Sequence, residues 1–292
     1  MTIPFHDDAA IRRALPPAAA ADAIAAALLG GLDPATDVPR TRMPLAHGEF
    51  LLMPAQSASA AGVKVLTIAP ANPGRGLPLI DAVYVLFDAE TLRPRALLDG
   101  AALTTLRTPA VSVAAVRPLL ASRSGLLVVV FGAGPQGVGH EETLRAVGDV
   151  AAVTVVTRRT AGTPEVAAAL READVVVCAT TSREPVFDSA PLRDDVVVIA
   201  VGAHEATARE LDSALMARST VIVEDVGTAL RESGDVIQAV AEGSVSPDAL
   251  VPMREAVRNP PSGGGPVVFK SNGMSWEDLV VAEAVVAAAA DR

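Results

Sequence analysis

The pattern of apolar and polar residues changes near residue 120 of the chain. Before that point, Pro16 and Pro17 are predicted to open an alanine-rich helix that ends at Gly30-Gly31, since proline favours helix starts and glycine favours helix ends. A second helix is predicted over Ala101–Leu120, interrupted by Pro109. Four short apolar runs between the two helices predict strands, over residues 50–53, 63–68, 83–87 and 96–98.

From residue 126 onward the apolar runs are continuous, which is typical of strands buried on both faces of a parallel sheet. Helix-like segments lie between these runs, so the alternation predicts a doubly wound parallel sheet. The predicted strands span residues 126–131, 153–156, 175–178, 196–201, 221–223 and 267–269.

A last helix is predicted to start near Ser275, where no strand is left for it to accompany, so we expect it to pack on the N-terminal region. The predicted fold class is α/β: a Rossmann-type, doubly wound parallel sheet with a second, smaller α+β domain. We assign residues 119–273 to the dinucleotide-binding domain, and residues 1–118 with 274–292 to the smaller domain.

The amino-acid composition disfavours several classes of function. A net charge of −10 and an aromatic content of 3% disfavour nucleic-acid binding. The longest apolar run, residues 279–290, is too short to cross a bilayer, and the N-terminus is unlike a signal peptide. Only one cysteine is present, and the four histidines lack ligand spacing, so neither a disulfide nor a metal site is expected. These observations predict a cytoplasmic protein that binds neither membrane nor nucleic acid.

The sequence Gly132-Ala133-Gly134-Pro135-Gln136-Gly137 follows an apolar strand and precedes a segment compatible with a helix, Val138–Val147. This is the context that the dinucleotide-binding fingerprint requires, because the glycines let a pyrophosphate approach the N–H groups at the start of a helix. A purely structural turn is the alternative interpretation.

Cofactor choice depends on the end of the next strand, where an NAD-specific site places an acid on the ribose hydroxyls. This chain has Thr157-Arg158-Arg159 there, which suits a 2′-phosphate. The cofactor is therefore predicted to be NADP(H), with NAD(H) as the alternative. A solvated basic turn is the competing interpretation of the two arginines.

Short motifs follow one another in order along nearly the whole chain. They are Pro39-Arg40-Thr41, Met53-Pro54-Ala55, Gly62-Val63-Lys64, Gly76-Leu77-Pro78, Leu98-Asp99-Gly100, Leu103 to Thr108, the glycine turn, Ala179 to Ser182, Arg209-Glu210-Leu211-Asp212 and Phe269 to Gly273. Together these motifs resemble the ornithine cyclodeaminase/mu-crystallin family. The resemblance implies a dinucleotide-binding domain and a substrate domain through which the chain forms a homodimer.

The resemblance also implies that the substrate carboxylate is bound by Arg40, Lys64 and Arg107. Guanidinium and ammonium groups are suited to this role, and a lysine in an apolar strand is costly unless it is paired. We therefore also name Lys64 as a catalytic candidate. Two alternatives stay open: Arg42 could be the arginine of the first motif, although the distance to Met53 favours Arg40, and Arg107 could form an ion pair within the fold.

Cofactor contacts implied by the resemblance add to the glycine turn and the two arginines. They are Leu79, Thr108, Pro135, Gln136, Thr157, Thr180, Val201 and Ser271. Leu79 replaces a family threonine, and Thr157 replaces the ribose-binding aspartate. The segment 159–174 also has room for little more than one short helix, Pro164–Ala173, so the strand at 153–156 is predicted to lie near the sheet edge.

A further departure is His204, which stands where ornithine cyclodeaminases carry a catalytic aspartate, and Ala208 replaces their lysine. A histidine can transfer protons near neutral pH but supplies no fixed negative charge, so His204 is a catalytic candidate for a different reaction. A helix-capping or packing role is the alternative. Structural roles are expected for Glu224-Asp225, for Cys178 as a buried thiol, and for Trp276 as a packing residue.

Three functions are compatible with these residues. The first is an NAD(P)-dependent oxidoreductase acting on the C–N bond of a small imino or amino acid. The second is ornithine cyclodeaminase, a lyase that converts ornithine to proline and ammonia. The third is a non-catalytic protein that binds NADPH and a small ligand.

Overall fold

The computed structural model describes residues 2–290, in which thirteen strands, ten α-helices and three short 3-10 helices are found. The strands are β1 Phe5–His6, β2 Thr41–Leu45, β3 Gly48–Gln56, β4 Ala60–Ile68, β5 Ile80–Asp88, β6 Pro94–Asp99, β7 Leu126–Phe131, β8 Val150–Val156, β9 Val175–Cys178, β10 Val197–Ala200, β11 Thr220–Val223, β12 Val251–Pro252 and β13 Val267–Lys270. The helices are α1 Asp8–Ala14, α2 Pro17–Leu29, α3 Gly100–Leu120, α4 Pro135–Val147, α5 Pro164–Glu172, α6 Ser213–Arg218, α7 Val226–Glu232, α8 Gly234–Ala241, α9 Met253–Arg258 and α10 Ser275–Ala290.

The chain divides into two compact units. The first contains residues 1–27, 36–108 and 274–292, and the second contains residues 28–35 and 109–273. The division falls inside α3, ten residues before the limit that we predicted at residue 118. That helix is continuous through Pro109, so the predicted interruption is wrong. Residues 110–116 are almost all buried apolar residues, and their packing offsets the hydrogen bond that the proline removes.

The first unit is built on a six-stranded sheet with the order β1-β6-β5-β4-β3-β2, antiparallel except where β1 joins β6. Alternate residues of β4 are buried, as expected of a sheet with one covered face. Helix α10 covers that face, where it packs on β3, β4 and β5. The prediction that the last helix returns to the N-terminal region is confirmed.

The second unit is a seven-stranded parallel sheet with the order β12-β11-β13-β10-β9-β7-β8. Its central strands β9, β10 and β13 are buried along their whole length, which explains their uninterrupted apolar sequences. The predicted Rossmann-type sheet is confirmed, including β8 at the sheet edge with the single short helix α5 after it. The two-residue strand β12 was not predicted, because so short a run has no periodicity.

Candidate active site

A cavity of about 540 Å³ lies at the carboxyl edge of the parallel sheet. Strand β7 is flanked there by β8 on one side and β9 on the other, so the direction of winding reverses at this point. Ligands of doubly wound sheets bind at such a switch point. Five residues that we predicted to bind the cofactor line the cavity: Gly132, Gly134, Thr157, Arg158 and Thr180.

The glycine turn is shaped as a pyrophosphate site requires. Gly132 has a φ of +111°, and a Cβ atom there would collide with the carbonyl of Ala179. A Cβ atom on Gly137 would collide with the carbonyl of Gly132. At Gly134, which caps α4, a Cβ atom would meet nothing within 4 Å, so the backbone faces open space. A phosphate can therefore approach the N–H groups at the start of α4.

The remaining predicted cofactor residues lie at several positions. Pro135 and Gln136 form the first turn of α4, and Arg159 follows Arg158 in an exposed turn. Thr108 is buried in α3, at the end of the first unit's part of that helix. Val201 directly follows β10, and Ser271 follows β13.

The hydroxyl of Ser271 is held by a buried acid. It donates to Glu224 Oε1 at 2.6 Å, and the backbone N–H groups of Asn272 and Gly273 donate to the same carboxylate at 2.7 and 3.0 Å. Glu224 therefore fixes the turn after β13, and Asp225 caps α7. This confirms the structural role expected of the acid pair.

A buried cluster of four charges contains two of the predicted substrate-binding residues. Lys64 Nζ donates to Asp278 Oδ2 at 2.7 Å, and Arg107 Nη1 donates to Glu277 Oε2 at 2.5 Å. All four side chains are at least 93% buried, within the first unit. The alternation of β4 directs Lys64 toward the face that α10 covers, and this brings it to the acids of α10.

This environment shifts the pKa of two groups. Burial lowers the pKa of Lys64 to about 8, with Asp278 opposing and Arg107 reinforcing the shift. Burial also raises the pKa of Asp37 to about 6, although its carboxylate accepts hydrogen bonds from the N–H groups of Ser275 and Trp276.

Glu277 and Asp278 were not predicted from the sequence as part of a site. A signal was available, because two adjacent acids lie in the first turn of a largely apolar helix, and buried acids need cationic partners. The same reasoning that singled out Lys64 applies to them.

The other candidates are more accessible. Arg40 is partly buried and directly precedes β2. Arg42, its neighbour in the first motif, forms an exposed ion pair with Glu49 at 2.5 Å on the β2–β3 hairpin. His204 is exposed, and its Nδ1 donates to the carbonyl of Gly202 at 3.1 Å, because a carbonyl can only accept.

A second histidine, His140 on α4, was not assigned a role from the sequence. Its Nδ1 donates to the carbonyl of Gln136 at 2.7 Å, so its Nε2 accepts from the hydroxyl of Ser112 at 2.9 Å. Burial lowers its pKa to about 4, which keeps the ring neutral and ties α4 to α3. Cys178 and Trp276 are both buried, as predicted.

Residues 2–290 contain no helix with the length and apolar character needed to cross a membrane. Among the same residues, no cluster of three or more His, Cys, Asp or Glu side chains is arranged to hold a metal ion.

The switch-point cavity and the glycine turn define the class of this protein: a doubly wound α/β protein with the geometry of a dinucleotide site. The chain belongs to the ornithine cyclodeaminase/mu-crystallin family, whose model matches residues 17–292.

Two curated relatives are reductases. The chain is 32% identical over 250 residues to Delta(1)-pyrroline-2-carboxylate reductase 1 of Burkholderia multivorans, covering 80% of this chain and 78% of that protein. It is 33% identical over 252 residues to the Delta(1)-pyrroline-2-carboxylate/Delta(1)-piperideine-2-carboxylate reductase of Azospirillum brasilense, covering 80% and 78%. Among solved structures, a probable ornithine cyclodeaminase from Bordetella pertussis Tohama I matches with a TM-score of 0.85 and 27% identity, covering 100% of this chain and 98% of that chain.

Proposed function

We propose that this chain is an NAD(P)H-dependent reductase of small cyclic imino acids, such as pyrroline-2-carboxylate. The similarity to curated reductases of this class, along four fifths of the chain, carries the proposal. The dinucleotide cavity supports it, because reduction of a C=N bond needs a hydride donor. The nicotinamide, when bound, supplies a hydride to the imine carbon, and a proton must reach the nitrogen to give the amine.

Residues of this chain are assigned to binding the substrate and to transferring the proton to its nitrogen. Arg40, Lys64 and Arg107 are proposed to bind the substrate carboxylate, since a guanidinium can bind it through two hydrogen bonds. Arg107 retains slight exposure despite its ion pair with Glu277. Binding of the carboxylate by these three cations would fix the orientation of the substrate, and a fixed orientation is a large source of rate enhancement.

His204 is the proposed proton donor. Because its Nδ1 donates to the carbonyl of Gly202, we assign the proton transfer to Nε2. The cyclodeaminase alternative requires a carboxylate at this position and a lysine at Ala208, and neither is present.

The cofactor is proposed to be NADPH. Arg158 lines the cavity directly after β8, and the acid that binds the ribose of NAD is replaced by Thr157. A cationic turn attracts a 2′-phosphate, whereas an acid repels it.

A homodimer is proposed as the assembled form. All five residues of the edge strand β2 are exposed, with Met43 and Leu45 at 48% and 40%, and Ile80 of the same unit is 45% exposed. An apolar, unpaired sheet edge favours association with another chain. Light scattering of wild type and of Met43→Lys tests the assembly. A monomeric wild type contradicts it.

An assay with purified protein tests the function. Pyrroline-2-carboxylate or piperideine-2-carboxylate should drive oxidation of NADPH, with proline or pipecolate formed in equal amount. Absence of NADPH oxidation with both substrates contradicts the proposal. Conversion of ornithine to proline and ammonia, with no change in nicotinamide absorbance, supports the lyase instead.

A further inference from the structure

Three charged side chains are buried at the carboxyl edge of the parallel sheet, and none of them has a role in the site described above. They are Glu210, Asp235 and Lys270, and each is at most 1% exposed. Burial of a charge costs several kcal/mol unless partners compensate for the lost water. The free energy of burying these three charges therefore depends on the hydrogen-bond and ion-pair partners of each group.

Glu210 joins the loops that follow two neighbouring strands. Its Oε1 accepts from the backbone N–H and the hydroxyl of Thr180, both at 2.7 Å, and its Oε2 accepts from the N–H of Gly202 at 2.6 Å. Thr180 follows β9 and lines the switch-point cavity, whereas Gly202 follows β10. One carboxylate thus fixes both loops.

Lys270 joins the next strand to the same loop. Its Nζ donates to the carbonyl of Ala203 at 2.5 Å, directly before His204, and lies 3.2 Å from Asp235 Oδ2. Asp235 Oδ1 accepts in turn from the N–H groups of Glu210 and Leu211 at 2.7 and 2.9 Å. The three charges form one connected network across β9, β10 and β13.

The loops pack closely against this network at Gly202. A Cβ atom on Gly202 would collide with the carbonyl of Thr180 and with the carboxylate of Glu210. Burial raises the pKa of Glu210, and Lys270 opposes that shift. A buried network whose members are paired holds one geometry, because each alternative leaves an unpaired charge.

We propose that Glu210 is a positioning residue, which holds the Thr180 loop and the 202–204 loop in the arrangement needed for cofactor binding and for proton transfer by His204. Lys270 supports it by fixing Ala203. The role in turnover rests on the proposed function, whereas the role in loop order does not.

The test is Glu210→Gln, with Asp212→Asn as a matched control. Gln keeps the size of the side chain but replaces one accepting oxygen with an NH2 group, which cannot accept from the N–H of Gly202 or of Thr180, whichever of the two it faces. Asp212 is also a carboxylate with three hydrogen bonds, from the N–H and hydroxyl of Ser189 and the N–H of Leu215, but none reaches the cofactor loops. The control thus measures the loss of a structural carboxylate alone.

Amide hydrogen exchange provides the first readout and needs no ligand. Peptides covering residues 179–182 and 201–205 should exchange faster in Glu210→Gln and remain protected in Asp212→Asn. Protection equal to wild type in Glu210→Gln overturns the proposal. Glu210→Asp, which keeps the carboxylate, should recover part of the protection, and it serves as the second variant if the glutamine variant folds poorly.

Steady-state kinetics with NADPH and pyrroline-2-carboxylate provide the second readout. Glu210→Gln should raise KM for NADPH and lower kcat by up to about a hundredfold, with a smaller change in KM for the imino acid. An equal effect of Asp212→Asn overturns a specific role for Glu210. A wild type that oxidises no NADPH refutes the proposed function, while the exchange result still decides the positioning role.

Discussion

The ammonium group of Lys64 lies 2.7 Å from a carboxylate oxygen of Asp278, and both side chains are buried. Arg107 and Glu277 form a second pair beside them, with Arg107 Nε 3.5 Å from Asp278. The cations proposed to bind the substrate thus balance the charge of two acids in the fold. Removing either cation changes stability as well as binding, and experiments must separate the two effects.

Arg107→Ala should abolish turnover and leave NADPH binding intact, because Arg107 is proposed to bind the substrate. Losing a charged partner of the substrate carboxylate costs about 2–5 kcal/mol of binding. The variant should also lose about 3–5 kcal/mol of unfolding free energy, since Glu277 is left without its partner. Kinetics, NADPH titration and urea unfolding measure the three quantities.

The double variant Arg107→Met with Glu277→Gln is the control. It removes both charges, so most of the unfolding free energy should return while turnover stays absent. Recovery of turnover in the double variant would assign Arg107 to the fold alone.

The KM for the imino acid should rise as pH increases through about 8. The pKa of Lys64 is lowered to about 8 from 10.5, mainly by burial, so the cation is present below this pH and is lost above it. NADPH affinity should not change over the same range. A Lys64→Met variant, with its higher KM, should show no such rise, and a wild-type KM that is constant from pH 7 to 9 contradicts the assignment.

Replacement of Arg158 and Arg159 by Ala should weaken NADPH binding far more than NADH binding, because only NADPH carries the 2′-phosphate. The loss should be on the order of tenfold or more, since a charged hydrogen bond is worth about 1.5–3 kcal/mol. Fluorescence titration with both cofactors measures it. Arg171→Ala, an exposed arginine on α5, is the control. Equal affinity of wild type for NADH and NADPH would leave the arginines as a solvated turn.

Sequence patterns predicted the parallel sheet well, because its signal is local. Strands β7 and β9 have the predicted bounds, and the glycine turn lies at the predicted switch point. The fingerprint is partly local: Gly137 is required by a contact with Gly132, whereas Gly132 is required by a contact with Ala179 on the neighbouring strand end. Strand β2 was missed because all five of its residues are exposed, so burial imposes no alternation on them.

The partners of the site residues could not be predicted, since they depend on long-range packing. Lys64 and Asp278 are 214 residues apart in the chain. Glu210 was seen as part of a motif, but its role depends on two loops that follow different strands. Such pairs become visible only when the register of β4 and the position of α10 are known.

Asp37 should make the fold less stable as pH rises from about 4 to about 6. Its pKa is raised from 3.8 to about 6, chiefly by burial and in part by Asp278. The folded state thus holds the proton more tightly than the unfolded chain, so this stabilising contribution is lost as the group ionises. Asp37→Asn should remove the pH dependence and still cap α10. Urea unfolding at several pH values measures the difference, and identical slopes in both proteins contradict it.

His204 is the residue that distinguishes the reductase from the cyclodeaminase. If Nε2 donates the proton to the substrate nitrogen, reductase activity should fall as pH rises and the ring loses its proton. His204→Ala should lose most of kcat and should flatten this part of the pH profile. His47→Ala, an exposed histidine in the β2–β3 turn, is the control and should behave as wild type.

Wild type should show negligible deamination of ornithine at neutral pH, because His204 supplies no fixed negative charge beside the cationic side chain of ornithine. His204→Asp restores that charge but not the lysine that Ala208 replaces, so any cyclodeaminase activity it gains should be slight. Product analysis for proline and ammonia measures both proteins. Efficient conversion of ornithine to proline by the wild type would show that the lyase chemistry does not need the aspartate, and the function would then be cyclodeamination.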